Sequence, residues 1–330
     1  MNDVLNLLEK IGLKKLQVAI RQELVGREGR ERIIRLETVL KIGTPYVLKR
    51  EYEAYACFAH FLTKEEKRLL FPRVAFGSAS PTRAILAVEP ISGSTLEEAI
   101  LKINGLAKRH GWKSREIRIH QKLVLSLTMK VLAKLAILNR PIKATQKRME
   151  LSAFIRELVR GLAESLRRAE IPWDLSSLCI KMKEVKEITV CLAHRDLGLL
   201  NIITDGEDVF FIDPRLHVVS TPGRRKGARL ASPAIDFAAF LVGLDRIELE
   251  IRRKQPNFRL SAKQCVRREI EKLLQKKQIT PFLSCLSETV VWAGYAACQC
   301  NQCLDPSRSW LRKQSIVRTM KCLKILSRLS

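Results

Sequence analysis

Residues 190–215, VCLAHRDLGLLNIITDGEDVFFIDPR, constrain this chain more than any other stretch. An apolar approach runs into His194-Arg195-Asp196, and Asn201 follows five residues after Asp196. An Asp205-Gly206 pair then marks a tight turn, and the apolar run Val209-Phe210-Phe211-Ile212 delivers Asp213 at its end. The pattern predicts a strand, a loop and a β-hairpin that display two carboxylates and an amide on short connections. Phosphoryl transfer from ATP needs one carboxylate to orient and deprotonate the attacking hydroxyl, and a carboxylate plus an amide to hold Mg²⁺. Asp196, Asp213 and Asn201 supply that set.

The remaining chain divides into a β-rich beginning and a helical continuation. Gln17–Glu23, Arg32–Leu40 and Pro45–Lys49 are β-prone runs, separated by Gly26 and Gly29 and by a Lys41-Ile42-Gly43-Thr44 turn. Glu51–Leu62 repeats apolar residues at helical spacing, and Val74–Gly77 and Ala84–Val88 return to strand. From Thr95 onward the helical period dominates, over Gln121–Leu138, Leu151–Ala169, Ile235–Leu244, Ala262–Lys276, Leu283–Cys298 and Ser307–Leu329. The expected architecture is an α+β fold of two lobes, a β-rich N-lobe over residues 1–89 and a helical C-lobe over residues 90–330.

With these motifs in place, the sequence resembles the aminoglycoside phosphotransferase type of small-molecule kinase within the protein-kinase-like superfamily. The resemblance spans roughly residues 15–300 and is densest from 190 to 240. It implies a bilobal kinase-like fold with ATP and Mg²⁺ bound between the lobes, Asp196 as catalytic base, and Asn201 and Asp213 as Mg²⁺ ligands. His194 would brace the catalytic loop, with Arg195 completing the HRD triplet. Tyr46-Val47-Leu48-Lys49 resembles the third strand, whose lysine contacts the ATP phosphates, with Glu51 or Glu53 as its carboxylate partner. Ile85 through Ile91 resembles the strand and hinge where adenine meets the backbone, which places Glu89 and Ile91 beside the nucleotide. Gly26 and Gly29 stand where a phosphate-cradling glycine loop would lie. Ser92-Gly93-Ser94 matches the small turn after the hinge, and Asp236 matches the acid that ties a helix back to the catalytic loop.

Several features favour a small molecule over a protein as phosphoryl acceptor. Gly198 stands where a protein kinase has lysine, Pro214-Arg215 replaces Phe-Gly, and only 22 residues separate Asp213 from Asp236. The helical stretch 142–186 resembles the insert that builds the acceptor pocket in aminoglycoside and choline kinase relatives. Arg215, Arg224, Arg225, Lys226 and Arg229 follow Asp213, so the acceptor is expected to be a small hydroxyl compound, with an anionic one as a specific reading. A membrane-surface lipopolysaccharide-core sugar kinase is the main alternative. A third reading is a kinase-shaped protein without turnover, or a basic nucleic-acid-binding scaffold.

Charge enters because of those basic segments. The 330 residues carry 60 Lys+Arg against 34 Asp+Glu, a formal net charge of +26. Residues 101–149 hold 13 basic residues against Glu116 alone, 214–235 hold five with no acid, and 306–330 hold seven with no acid. Residues 150–213 carry a net −4, so the proposed metal-binding stretch is acidic within a basic protein. The 46% apolar content suits a buried core and excludes disorder as the main state. No apolar run reaches the roughly 20 residues of a membrane span. Nine cysteines without framework spacing fit a reducing, cytoplasmic compartment, and Cys298, Cys300 and Cys303 fall short of a four-ligand metal site. The basic amphipathic C-terminal helix is a place for peripheral membrane contact. Specific nucleic-acid binding is not expected, because aromatics make up only 6% and no reading motif occurs.

Overall fold

The computed structural model describes residues 32–35, 39–59, 61–78, 82–139, 148–176, 179, 192–214, 234–275, 293–296 and 312–328. The expected glycine loop at Gly26 and Gly29, the basic loop 215–229 and the CQCNQC stretch lie outside these residues. The chain forms two compact units, Met1–Ser94 with Asn201–Arg229, and Thr95–Leu200 with Leu230–Ser330. The first is therefore discontinuous in sequence, whereas a division at residue 89 leaves the hairpin of residues 202–211 in the C-lobe.

The first unit is built on an antiparallel sheet of order β1-β2-β4-β3, with β1 Arg32–Arg35, β2 Val39–Gly43, β3 Val74–Ser78 and β4 Ala84–Val88. β2 is internal, pairing Lys41 with Ile33 on one side and with Leu86 on the other. Helix α1, Pro45–Ala59, packs on the sheet, where Leu48 joins Ala84, Leu86 and Val88, and Tyr52 stacks on Phe76 at 5.7 Å. Helix α2, Lys64–Leu70, begins with a reciprocal capping box between Thr63 and Glu66, and its end carries Phe71 into a cluster with Phe58 and Phe211. A second sheet of order β5-β6-β7 contains β5 Ser94–Thr95, β6 Ile202–Thr204 and β7 Val209–Phe211.

One sequence expectation is corrected here. Pro45–Lys49 is not a strand but the first turn of α1, and Lys41–Gly43 is not a turn but part of β2. Thr44-Pro45 is the reason. Proline with its fixed φ and absent N–H suits the first helical position, and Leu48 N–H donates to the Thr44 carbonyl at 3.2 Å. The apolar spacing of Leu48, Tyr52, Tyr55 and Phe58 then continues one helical stripe, while Leu40 and Lys41 point to opposite faces of the strand before it.

The second unit is helical: α3 Leu96–His110, α4 Arg115–Leu138, α5 Arg148–Arg168, α6 Ala234–Arg252, α7 Ser261–Gln275 and α8 Arg312–Arg328. α6 is buried from Asp236 to Glu248 apart from the half-buried Ala239, and buried polar groups fix it to its neighbours. Arg246 Nη1 donates to Glu97 Oε1 of α3 at 3.0 Å, and the Asp245 carboxylate forms ion pairs with Lys263 of α7 at 2.7 Å and Arg318 of α8 at 3.4 Å. Ser315, Thr319, Cys322 and Leu323 of α8 are buried, so this helix sets one face against its own unit. Among the described residues, no helix is long and apolar enough to cross a membrane.

Candidate active site

In the first unit, the buried ammonium of Lys41 stands between two carboxylates. It donates to Glu51 Oε1 of α1 at 2.8 Å and to Asp213 Oδ1, which follows β7. Glu51 and Tyr55 lie four residues apart on one face of α1, and the Tyr55 hydroxyl accepts the Asp213 N–H at 2.9 Å. Helix α1 thus fixes both the lysine and the backbone of Asp213. Asp213 adopts φ 57°, a left-handed conformation that a non-glycine residue holds only when its surroundings enforce it. The Ile212 N–H donates to the Asn201 carbonyl at 3.0 Å, placing the amide-bearing residue opposite the end of β7.

Electrostatics follow from this placement. Burial lowers the Lys41 pKa, but the charges of Asp213 and then Glu51 outweigh it and hold the ammonium above its ordinary value. Burial, together with the Asp213 charge, pushes the Glu51 carboxyl up to about 7 against the pull of Lys41. The two carboxylates compete for one cation, and a second cation in their neighbourhood would relieve both. Asp213 and Asn201 offer hard oxygen donors, and among the described residues no group of three or more His, Cys, Asp or Glu forms a metal cage. A carboxylate with an amide fits Mg²⁺, which keeps water and phosphate oxygens for its remaining positions. It does not fit a structural transition metal.

Lys49, the lysine expected from the sequence to clamp phosphates, lies on an exposed position of α1, and its place beside Asp213 is taken by Lys41. Of the two carboxylates considered, Glu51 faces the buried lysine. Glu89 is held by Arg73: its N–H donates to the Arg73 carbonyl at 2.8 Å and its Oε2 accepts the Arg73 N–H at 3.0 Å. A nucleotide contact at Glu89 would therefore fall to its carbonyl. A cavity of about 340 Å³ lies beside this segment, lined by Phe71, Arg73, Glu89, Ile91 and Phe210 among others. The turn after it requires glycine, because a Cβ on Gly93 at φ +126° would stand 2.0 Å from the Thr204 carbonyl oxygen of β6.

The second unit holds the loop with His194, Arg195 and Asp196. Its anchor is Asp236 in the first turn of α6, wholly buried. Oδ2 accepts the His194 N–H at 2.8 Å and Oδ1 accepts the Arg195 N–H at 2.8 Å, while Asn139 Nδ2 donates to Oδ2 at 3.0 Å. Asn139 closes α4 and also donates to the Leu192 carbonyl at 2.7 Å, so one amide fixes both the approach to the loop and its anchor. Burial pushes the Asp236 carboxyl above the usual carboxylate range, opposed by these three hydrogen bonds. Arg195 takes φ 65°, the bend that turns the chain toward Asp196, and Gly198 N–H donates to the Asp196 carbonyl at 2.8 Å. Gly243 of α6 lets Leu199 approach closely, since a Cβ there would stand 2.8 Å from Leu199 Cγ. A 3-10 turn, Leu199–Asn201, then leads into β6, and Asp205 Oδ1 accepts the N–H groups of Glu207 and Asp208 to close the hairpin.

Lys41, Tyr55 and Asn139 were not singled out by sequence reasoning. Lys41 was legible as a lone cation in the run Val39-Leu40-Lys41-Ile42, once Thr44-Pro45 is read as a helix start. Asn139 was legible as a helix-ending asparagine two residues before Pro141. Tyr55 falls within the apolar period of Glu51–Leu62, and its hydroxyl contact has no sequence signature.

Solved structures of other proteins are similar to this chain. Glucosamine kinase in complex with glucosamine, ADP and inorganic phosphate superposes with a TM-score of 0.52 at 13% identity, covering 96% of this chain and 83% of that one. A second crystal form of glucosamine kinase gives 0.51 at 14% identity, covering 91% and 77%. A thermostable mutant of an aminoglycoside phosphotransferase, in its apo form, gives 0.49 at 14% identity, covering 92% of each. The chain has the α+β fold of the glucosamine kinase structures. No protein-family model matches it, and no curated protein matches its sequence.

Proposed function

We propose that the protein is an ATP-dependent phosphotransferase acting on a hydroxyl of a small-molecule acceptor. The observation that carries this reading is Lys41, buried and shared between Glu51 of a helix and Asp213 at the end of a hairpin strand. A buried lysine is costly unless its charge has work to do, and this lysine–glutamate pair beside an aspartate is the arrangement that sets nucleotide phosphates in kinase-like enzymes. The fold shared with glucosamine kinase supports the same conclusion.

Each residue then has a task. Glu51 orients Lys41, whose ammonium binds phosphate oxygens of the nucleotide. Asn201 and Asp213 are the residues that would hold Mg²⁺, which neutralises charge on the phosphates when bound. Asp196 positions the acceptor hydroxyl and receives its proton as the oxygen–phosphorus bond forms and the bond to the ADP leaving group breaks. Asp236 and Asn139 hold the loop that carries Asp196. A polar sugar-like acceptor is the class favoured by the glucosamine kinase neighbours, and the arginines after Asp213 would extend it to anionic sugars.

ATP consumption measured against aminosugars, aminoglycosides, choline-like amines and phosphorylated sugars tests the proposal. An Asp196→Asn variant is expected to lose at least about 100-fold in kcat on whichever acceptor is active. Equal turnover by that variant would remove Asp196 from the role of base. Absence of ATP binding by the wild type would remove the whole reading.

A further inference from the structure

The outer face of α4 in the second unit is not used by the phosphotransfer chemistry, and its composition is unusual for a face turned to water. Ile117, His120, Val124, Leu127, Thr128, Val131 and Leu135 form its buried stripe. The opposite stripe exposes Arg115, Arg118, Lys122 and Lys130. Among these cations stand Ile119, Leu123 and Met129, exposed to 55%, 42% and 47%. Positions 118, 119, 122, 123, 126, 129, 130 and 133 share this side of the helix because they repeat at three and four residues. The α3–α4 corner adds exposed Lys108, Arg109 and Lys113, and Glu116 is the one acid of residues 101–149.

Scattered exposed aliphatic side chains need no explanation, and neither does a solvated basic helix. Their combination on one face does, since three large apolar side chains stand among cations in a stretch of sequence whose one acid is Glu116. Single-stranded nucleic acid would engage the cations, but it is gripped by aromatic stacking as well, and no aromatic lies on this stripe. Trp112 next to it packs against Phe258 at 5.9 Å. A surface that is anionic outside and apolar a few ångströms below matches both residue sets. We propose that α4 docks the protein on an anionic phospholipid surface, with Arg115, Arg118, Lys122 and Lys130 meeting headgroups and Ile119, Leu123 and Met129 entering the interface. The C-terminal helix, to which sequence reasoning assigned membrane contact, buries Cys322 and Leu323 in its own unit.

The test is co-sedimentation of the full chain with phosphatidylcholine vesicles, with and without about one third phosphatidylglycerol, at about 0.15 M salt. Binding is expected to the mixed vesicles and not to neutral ones. Each basic residue at such a surface contributes roughly fivefold in partitioning, so the triple variant Arg118→Gln, Lys122→Gln, Lys130→Gln is expected to lose about 100-fold. Ile119→Ser with Leu123→Ser is expected to lose about tenfold at unchanged charge, while Lys313→Gln with Lys321→Gln on α8 binds as wild type. All of these positions are exposed, and an unchanged melting temperature confirms that each variant is folded. Equal binding to neutral vesicles overturns the proposal, as does retained binding by both α4 variants or loss of binding by the α8 variant. Displacement from vesicles by an RNA oligomer, with the apolar variant unaffected, overturns it in favour of a nucleic-acid surface.

Discussion

Removing the Asp236 carboxylate would expose how much of the His194–Asp196 loop depends on one buried group. In Asp236→Ala, the His194 and Arg195 N–H groups lose their acceptors at 2.8 Å and Asn139 Nδ2 loses the one at 3.0 Å, though the amide keeps the Leu192 carbonyl. A buried donor left without a partner costs roughly 1–3 kcal/mol. Two backbone donors and one half-satisfied amide therefore amount to about 4–6 kcal/mol, tempered by relief from burying a charge. That is a large share of the roughly 5–15 kcal/mol stability of an ordinary domain. Asp236→Asn keeps an oxygen at one of the two positions but turns an NH₂ toward a backbone N–H, so about 1–3 kcal/mol is expected. Urea unfolding followed by circular dichroism measures both. A cost below about 1 kcal/mol for the alanine variant would refute the claim that this carboxylate organises the loop.

Two further outcomes follow from single positions. Gly93→Ala places a methyl 2.0 Å from a backbone oxygen that cannot rotate away, at φ +126°, and is expected to cost about 3 kcal/mol in urea unfolding; a cost under about 1 kcal/mol would contradict the close approach. His120 is buried with Nε2 3.4 Å from the Ile100 carbonyl, and burial holds its pKa below 6.5 despite that hydrogen bond. Between the folded pKa and 6.5 the unfolded chain binds more protons, so this contribution to stability is complete above 6.5 and is lost as pH falls below it. The wild type should therefore lose stability relative to His120→Gln as pH drops from about 6.5 toward 5. A difference that stays constant with pH would exclude the histidine as its source.

Local chemistry made residues 194–213, which run from the second unit into the first, readable in advance. HRD followed by Asn201, the Asp205-Gly206 turn and the apolar run before Asp213 each carry their own geometric requirement, and the hairpin forms where the turn residues put it. α4 covers the expected Gln121–Leu138 but begins at Arg115, and α6 starts beside the expected Ile235 but runs past Leu244 to Arg252. The passage from β2 into α1 was harder because Tyr46-Val47-Leu48 is β-prone as a tripeptide, whereas the helix is decided by Thr44-Pro45 ahead of it and by the stripe to Phe58 behind it. Misplacing that boundary by one element put Lys49 on a strand that in the structure carries Lys41. The contacts of Tyr55 with Asp213 and of Asn139 with Asp236 join residues 158 and 97 apart, and neither pattern nor propensity encodes such pairings.

That exchange of lysines is also the most direct point of test. Steady-state phosphoryl transfer and Mg·ATP affinity should be measured for Lys41→Met and Lys49→Met side by side, with folding checked by melting temperature. The account predicts that Lys41→Met remains folded and loses about 100-fold or more in kcat, as expected when a preorganised positive charge is removed from the reacting phosphates, while Lys49→Met matches wild type. Full activity in Lys41→Met together with a dead Lys49→Met would contradict it, and would return the phosphate-binding role to the exposed helix position.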